Sequence, residues 1–284
     1  MSADDPTDLF WESAEGLELH ARDYAASGSL LPVICLHGLT RNARDFEKLG
    51  PWLAALGRRA IAVDVRGRGL SAWDPAADYR LPAYVEDVER LAARFGIDRA
   101  VFIGTSMGGL ITMDVARAHP ALVASAVIND VGPELAVAGL ARIASYTGKA
   151  VPIESWADAA AYVRWQNEHA LPHYGEADWD AMARRMFHDR DGRIAADYDP
   201  AIARALADGA TPADPWASWE GLADGRPVLL LRGATSDLLD ADVAARMAER
   251  EGVKLAMVPD VGHAPMLDEA ASLAAIEGFL ASLP

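Results

Sequence analysis

Short aliphatic runs, separated by longer stretches with helical periodicity, constrain this chain more than any other feature. They fall at 33–36, 60–63, 101–103, 124–128, 228–231 and 254–258. Runs this short and this apolar leave no face for water, so they suit strands covered on both sides. Helix-like segments lie among them at 45–56, 83–95, 107–119, 241–251 and 269–280. Strand and helix in alternation predict an α/β fold built on a mostly parallel sheet with right-handed crossovers. The looser alternation at 17–23 predicts an edge strand.

One region breaks the rhythm. Between 133 and 215 there is no strand pattern, and Ala, Trp, Tyr and Arg are abundant. Ser155 with Asp158 three residues on has the form of a helix N-terminus. The expected organisation is a core of 1–132 and 216–284 with a helical cap, 133–215, inserted between two strands. A length of 284 residues accommodates one large domain with such an insertion.

Composition narrows the partners. Lys and Arg number 26 against 42 Asp and Glu, a net charge of −16. Such a surface repels phosphate backbones and anionic lipid, so no nucleic-acid partner is expected. No apolar run reaches the ~18 residues of a membrane span, and the acidic start lacks a basic, then apolar, leader. A cytoplasmic chain without a membrane partner is the expectation, with its oligomeric state left open. The single cysteine, Cys35, sits in an apolar run and reads as a small buried hydrophobe. His169 and His173 are four apart, but Pro172 interrupts any helix that would align them. No metal is expected there, and the lack of a phosphate-cradling glycine loop predicts no nucleotide cofactor.

The segment VFIGTSMGGL, 101–110, places a serine between glycines where a strand must become a helix. Side chains two residues before or after that serine would collide with the adjoining strand and helix. Gly104 and Gly108 therefore permit a sharp turn that lifts the Ser106 hydroxyl clear of the sheet and sets the next amide at a helix N-terminus. A serine hydroxyl needs a base within reach to act as a nucleophile. His20 and His37 precede the turn, His119 ends the following helix, and His169, His173 and His188 lie in the insertion. Only His263 follows the last strand, which brings it to the carboxyl end of the sheet, where sites form in open α/β folds. His37 reads as loop-shaping, and Asp64 with Arg66 as a turn-stabilising pair.

Five segments in order, LHGLT (36–40), DVRGRGLS (64–71), GTSMGG (104–109), GATSD (233–237) and GHAP (262–265), resemble the α/β-hydrolase-fold family over about 17–283. The resemblance implies, in that order, an oxyanion loop, a structural turn, the nucleophile Ser106, the acid and the base His263. It assigns the oxyanion hole to the backbone N–H groups of Leu39 and Met107. It favours Asp237 as the acid; Asp240 and Asp242 lie close by. Asp130, after the strand before the insertion, is the rival, because some members carry their acid there.

The implied activity is serine hydrolysis of a small-molecule substrate, a small-to-medium apolar ester or lactone, through an acyl-enzyme. Trp156, Tyr162, Trp165, Trp216 and Trp219 read mainly as helix-packing residues, with one or two lining a pocket beneath the cap. The alternatives are carbon–carbon bond hydrolysis on the same triad, a haloperoxidase-like activity, and a ligand receptor of the same fold. Carbon–carbon hydrolases usually carry an aromatic residue after the histidine, where this chain has Ala264. Dehalogenases and epoxide hydrolases place Asp at the position of Ser106.

Overall fold

The computed structural model describes residues 5–149, 151–207 and 214–283. Its centre is a sheet of strands β1 (Thr7–Glu12), β2 (Glu18–Tyr24), β3 (Val33–Leu36), β4 (Ala60–Asp64), β5 (Ala100–Thr105) and β6 (Val123–Asn129), completed after the insertion by β9 (Val228–Gly233) and β10 (Val253–Val258). The order is β1-β2-β4-β3-β5-β6-β9-β10. Pairing is parallel from β4 onward, while β1, β2 and β4 pair antiparallel. The strand expected near 17–23 is β2, but it is not the edge. β1 lies outside it as the first arm of a hairpin, a largely exposed strand with no clean alternation to reveal it.

Helices α1 (Leu49–Ala55), α2 (Leu81–Arg94), α3 (Met107–Ala118), α8 (Pro215–Ala223), α9 (Ala241–Met247) and α10 (Ala270–Ala281) flank the sheet. The helix expected at 45–56 splits into a 3₁₀ turn, Ala43–Phe46, and α1. Strands β3, β4, β6 and β9 are buried along their whole length, as their unbroken apolar runs require. Ile34, Leu36, Ile61, Phe102 and Ile128 face one buried cluster with α2 and α3, and Val33, Cys35, Val101, Ile103 and Leu229 face another with α1 and α10. Burial pushes the Cys35 thiol up, so it packs as a hydrophobe.

The insertion contributes α4 (Val137–Tyr146), α5 (Trp156–Asn167), α6 (Glu176–Met186) and α7 (Ile202–Ala207), and also a hairpin, β7 (Phe187–Arg190) with β8 (Arg193–Ala196). Sequence periodicity predicted helices alone; strands of four residues around an Asp191-Gly192 turn are too short to show it. Neither strand joins the central sheet. Residues 150 and 208–213 of the expected cap lie outside the described residues. Ser155 caps α5 as predicted, its hydroxyl accepting from the Asp158 N–H while the Asp158 carboxylate accepts from the Ser155 N–H. Val163, Leu171, Trp179, Met182 and Phe187 form a separate small core that closes on Val258 and Val261.

Candidate active site

Ser106 stands between β5 and α3 with φ 51° and ψ −116°, a left-handed backbone that an L residue adopts only under constraint. The constraint is visible. Its N–H donates to the Asn129 carbonyl at 3.0 Å, and its carbonyl accepts from the Gly109 N–H at 2.8 Å. A Cβ on Gly104 would run into the backbone of Gly108, and one on Gly108 into Leu36. The two glycines let strand, turn and helix pack this closely, as their spacing predicts.

His263 lies in the loop after β10. Its Nε2 is 3.0 Å from Ser106 Oγ, and its Nδ1 is 2.8 Å from Asp130 Oδ2. Asp130 is 0% exposed. Its other oxygen accepts from the Gly233 N–H at 2.9 Å, and Oδ2 also accepts from the Ser236 hydroxyl at 2.6 Å. A carboxylate held by these donors is rigid and suits a ring it must orient.

Asp237, expected as the acid, does not reach His263. Its carboxylate accepts a two-pronged pair from Arg142 of α4, at 2.6 and 2.8 Å. The hydrogen bonds from Arg142 hold its carboxyl below the usual range, against partial burial. The reason is position. Asp130 follows β6 directly, level with the end of the neighbouring β9, whereas Asp237 lies four residues past Gly233 and turns toward the insertion. Asp240 is the N-cap residue of α9, and Asp242 lies in its first turn.

His20 and His37 have other tasks. His37 is buried; its Nδ1–H donates to the Gly38 carbonyl at 2.7 Å and its Nε2 accepts from the Val65 N–H at 3.1 Å. That pattern requires the neutral ring, and burial lowers its pKa to about 4. It shapes the loop, as predicted. His20 bridges Asp64 at 2.7 Å and Asp8 at 3.0 Å. Asp64 and Arg66 are not a pair. Asp64 also accepts from the N–H groups of Ala43 and Leu70, while Arg66 forks onto Asp87.

The pocket over Ser106 and His263 has two walls. The core supplies Leu39, Arg41, Phe46 and Leu267; the insertion supplies Arg142, Tyr146, Gln166 and Met186. Gly38 brings the loop carrying Leu39 against Ser106. Leu39 N–H donates to no described residue, and Met107 is the first residue of α3, where an amide has no intrahelical acceptor. Among the described residues no tryptophan lines the pocket. Trp219 is buried in the core, Trp216 and Trp156 lie under Arg246 and Arg184, and Trp165 is exposed. The pocket is more polar than expected. Arg41 is forked onto Asp45, and the Gln166 Oε1 is buried without a hydrogen-bond partner among the described residues.

Sequence reasoning missed Asn129 and Ser236. Asn129 donates to Thr105 at 3.1 Å and to the Pro265 carbonyl at 2.8 Å, fastening the histidine loop to the serine turn. Its place beside Asp130 at a strand end was the available signal. Among the described residues no three His, Cys, Asp or Glu side chains gather to hold a metal ion, and no helix is long and apolar enough to cross a membrane.

The family model described as the alpha/beta hydrolase family matches residues 33–276. The chain belongs to the alpha/beta hydrolase family. As a member it is a hydrolase. It is similar to an alpha/beta hydrolase from Novosphingobium aromaticivorans, with a TM-score of 0.92 and 45% identity over 98% of each chain. A 3-hydroxybutyrate-oligomer hydrolase from Cupriavidus necator is 36% identical over 260 residues, 87% of each chain. A non-heme chloroperoxidase from Streptomyces lividans is 32% identical over 126 residues, 44% of this chain and 45% of that one.

Proposed function

We propose that this hydrolase is a serine esterase acting through an acyl-enzyme, with Ser106 as nucleophile, His263 as base and then acid, and Asp130 as the acid that orients the ring. The observation that carries the reading is the continuous chain Ser106 Oγ, His263 Nε2, His263 Nδ1, Asp130 Oδ2, with links of 3.0 and 2.8 Å. Ser106 Oγ attacks the ester carbonyl carbon while His263 takes its proton. The carbonyl oxygen becomes an oxyanion that the Leu39 and Met107 N–H groups receive. Collapse expels the alcohol, which takes the proton back from His263. Water then repeats the sequence and releases the acid.

The substrate we favour is a short ester rich in oxygen, such as a hydroxyalkanoate ester. The mixed lining of Arg41, Tyr146 and Gln166 beside Leu39 and Met186 supports it over a long alkyl ester, and over the more apolar ester that the family resemblance and the aromatic insertion implied. The name of the Cupriavidus relative, a 3-hydroxybutyrate-oligomer hydrolase, agrees with this class. The insertion 133–215 acts as the lid, since its residues form one wall of the pocket. The test is a panel of chromogenic esters run beside Ser106→Ala, with fluorophosphonate labelling. Labelling at Ser106 alone and loss of turnover by ~10⁵-fold or more in the variant are expected. Undiminished turnover in Ser106→Ala, or labelling elsewhere, overturns the reading. Ester bound without turnover favours a receptor instead.

A further inference from the structure

Arg66 and Arg68 stand two residues apart in DVRGRGLS, and both are buried. Their partners differ in kind. Arg66 forks onto Asp87 at 2.6 and 2.7 Å and also reaches Glu15 at 3.2 Å and Asp74 at 3.4 Å, so its charge is matched by carboxylates. Arg68 is 0% exposed and forms no ion pair with any described residue. Its Nη1 donates to the Arg66 carbonyl and the Tyr84 hydroxyl oxygen, both at 2.8 Å. Its guanidinium lies 5.5 Å from the Tyr79 ring and 5.2 Å from the Tyr84 ring. The remaining edge faces the candidate site. Nε donates to the Leu39 carbonyl at 3.0 Å, and Nη2 lies 3.5 Å from Met107 Sδ.

Leu39 and Met107 are the two residues whose amides were assigned above to the oxyanion. A buried guanidinium whose hydrogen bonds all go to neutral partners is costly to desolvate, and among the described residues no carboxylate accepts a hydrogen bond from it. We propose that Arg68 is a positioning residue for the oxyanion. It holds the Leu39 carbonyl and the Met107 side chain from behind and sets there a positive charge that no described residue pairs as a salt bridge. The proposal rests on the serine-hydrolase reading. An ester carbonyl carries only partial charge, whereas the tetrahedral intermediate carries a full one. A fixed cation behind the receiving amides therefore favours the intermediate over the bound substrate.

The experiment separates charge from scaffolding. Arg68→Gln keeps an N–H donor and removes the charge. On 4-nitrophenyl butyrate it is expected to lower kcat/KM by ~10- to 100-fold with KM within about twofold. Affinity for an alkyl trifluoromethyl ketone, whose adduct with Ser106 carries the oxyanion, is expected to fall by the same factor. Arg68→Lys keeps the charge and stays within about threefold of wild type on both measures. Arg58 is the control, a buried arginine that donates to the Leu31 and Leu280 carbonyls, away from the pocket. Arg58→Gln is expected to lower Tm and leave ketone affinity unchanged.

The proposal is overturned if Arg68→Gln retains ketone affinity, if its loss is entirely in KM, or if Arg68→Lys is as impaired as Arg68→Gln. Should Arg68→Gln not fold, Arg68→Lys decides alone: retained affinity supports the role of the charge, and a tenfold loss overturns it. Failure of wild type to be labelled at Ser106 sinks the serine-hydrolase reading instead. Labelling and turnover with unaltered ketone affinity in Arg68→Gln sink only the role of Arg68.

Discussion

The loops after β6 and β9 each carry an aspartate at the carboxyl end of the sheet, and the two carboxylates live in opposite surroundings. Asp130 is wholly buried and takes hydrogen bonds from Gly233, Ser236 and His263, all of the core. The Asp237 side chain is 29% exposed and is tied to Arg142 of the insertion. The same chemical group thus holds the core's histidine in one loop and the insertion's α4 in the other. Strand-end position does not separate these roles. The donors each carboxylate meets do, and those come from distant parts of the chain.

The comparison can be sharpened most by removing the charge at Asp130. Asp130→Asn is expected to lower kcat by ~10⁴-fold while circular dichroism stays native, because an amide favours the wrong tautomer of His263. Asp237→Asn is expected to cost less than about tenfold, since its carboxylate touches neither Ser106 nor His263. If Asp237→Asn loses ~10³-fold and Asp130→Asn does not, the two loops exchange roles. Ser236→Ala tests the link between them. Its hydroxyl donates to Asp130 at 2.6 Å, and its loss is expected to lower kcat about five- to tenfold with little change in KM.

The smallest effect is on stability. Arg142 depresses the Asp237 pKa in the folded state, so the pair stabilises the protein fully above the unfolded value, about 4. That contribution is lost as pH falls through the depressed folded value. Because the pair is partly exposed, it is worth at most about 1 kcal/mol. Urea unfolding of wild type and Asp237→Asn should therefore differ by a constant amount from about pH 5 to 8 and converge below about pH 4. A gap that widens toward acid contradicts the assignment of this pair as an ordinary surface-edge tie.

Much of the fold was legible because its signals are local. The unbroken runs at 33–36, 60–63 and 228–231 are strands buried on both faces, and 107–119 is a helix to within a residue of its end. Strand β1 was not legible because it has one partner and an exposed face, so its residues need not alternate. The β7–β8 hairpin was hidden because each arm is four residues long. Within the candidate site, the turn at Ser106 and the approach of His263 to it could be read from a steric pattern and from chain order. The tryptophans pack mainly against the core and against arginines, as expected, and the secondary expectation that one or two line the pocket fails, since their area is used against Arg246, Arg184 and the core.

By itself the sequence determined the mostly parallel sheet and the serine turn. Each follows from apolar periodicity or from steric limits among residues a few positions apart. Tertiary structure alone decided which aspartate faces His263. β6 and β9 are neighbours in the sheet but are separated in the chain by the whole insertion. Whether a carboxylate at either strand end meets an imidazole or a guanidinium depends on where His263 and Arg142 are carried. Those side chains lie 133 and 95 positions from Asp130 and Asp237 respectively, beyond the reach of any local pattern.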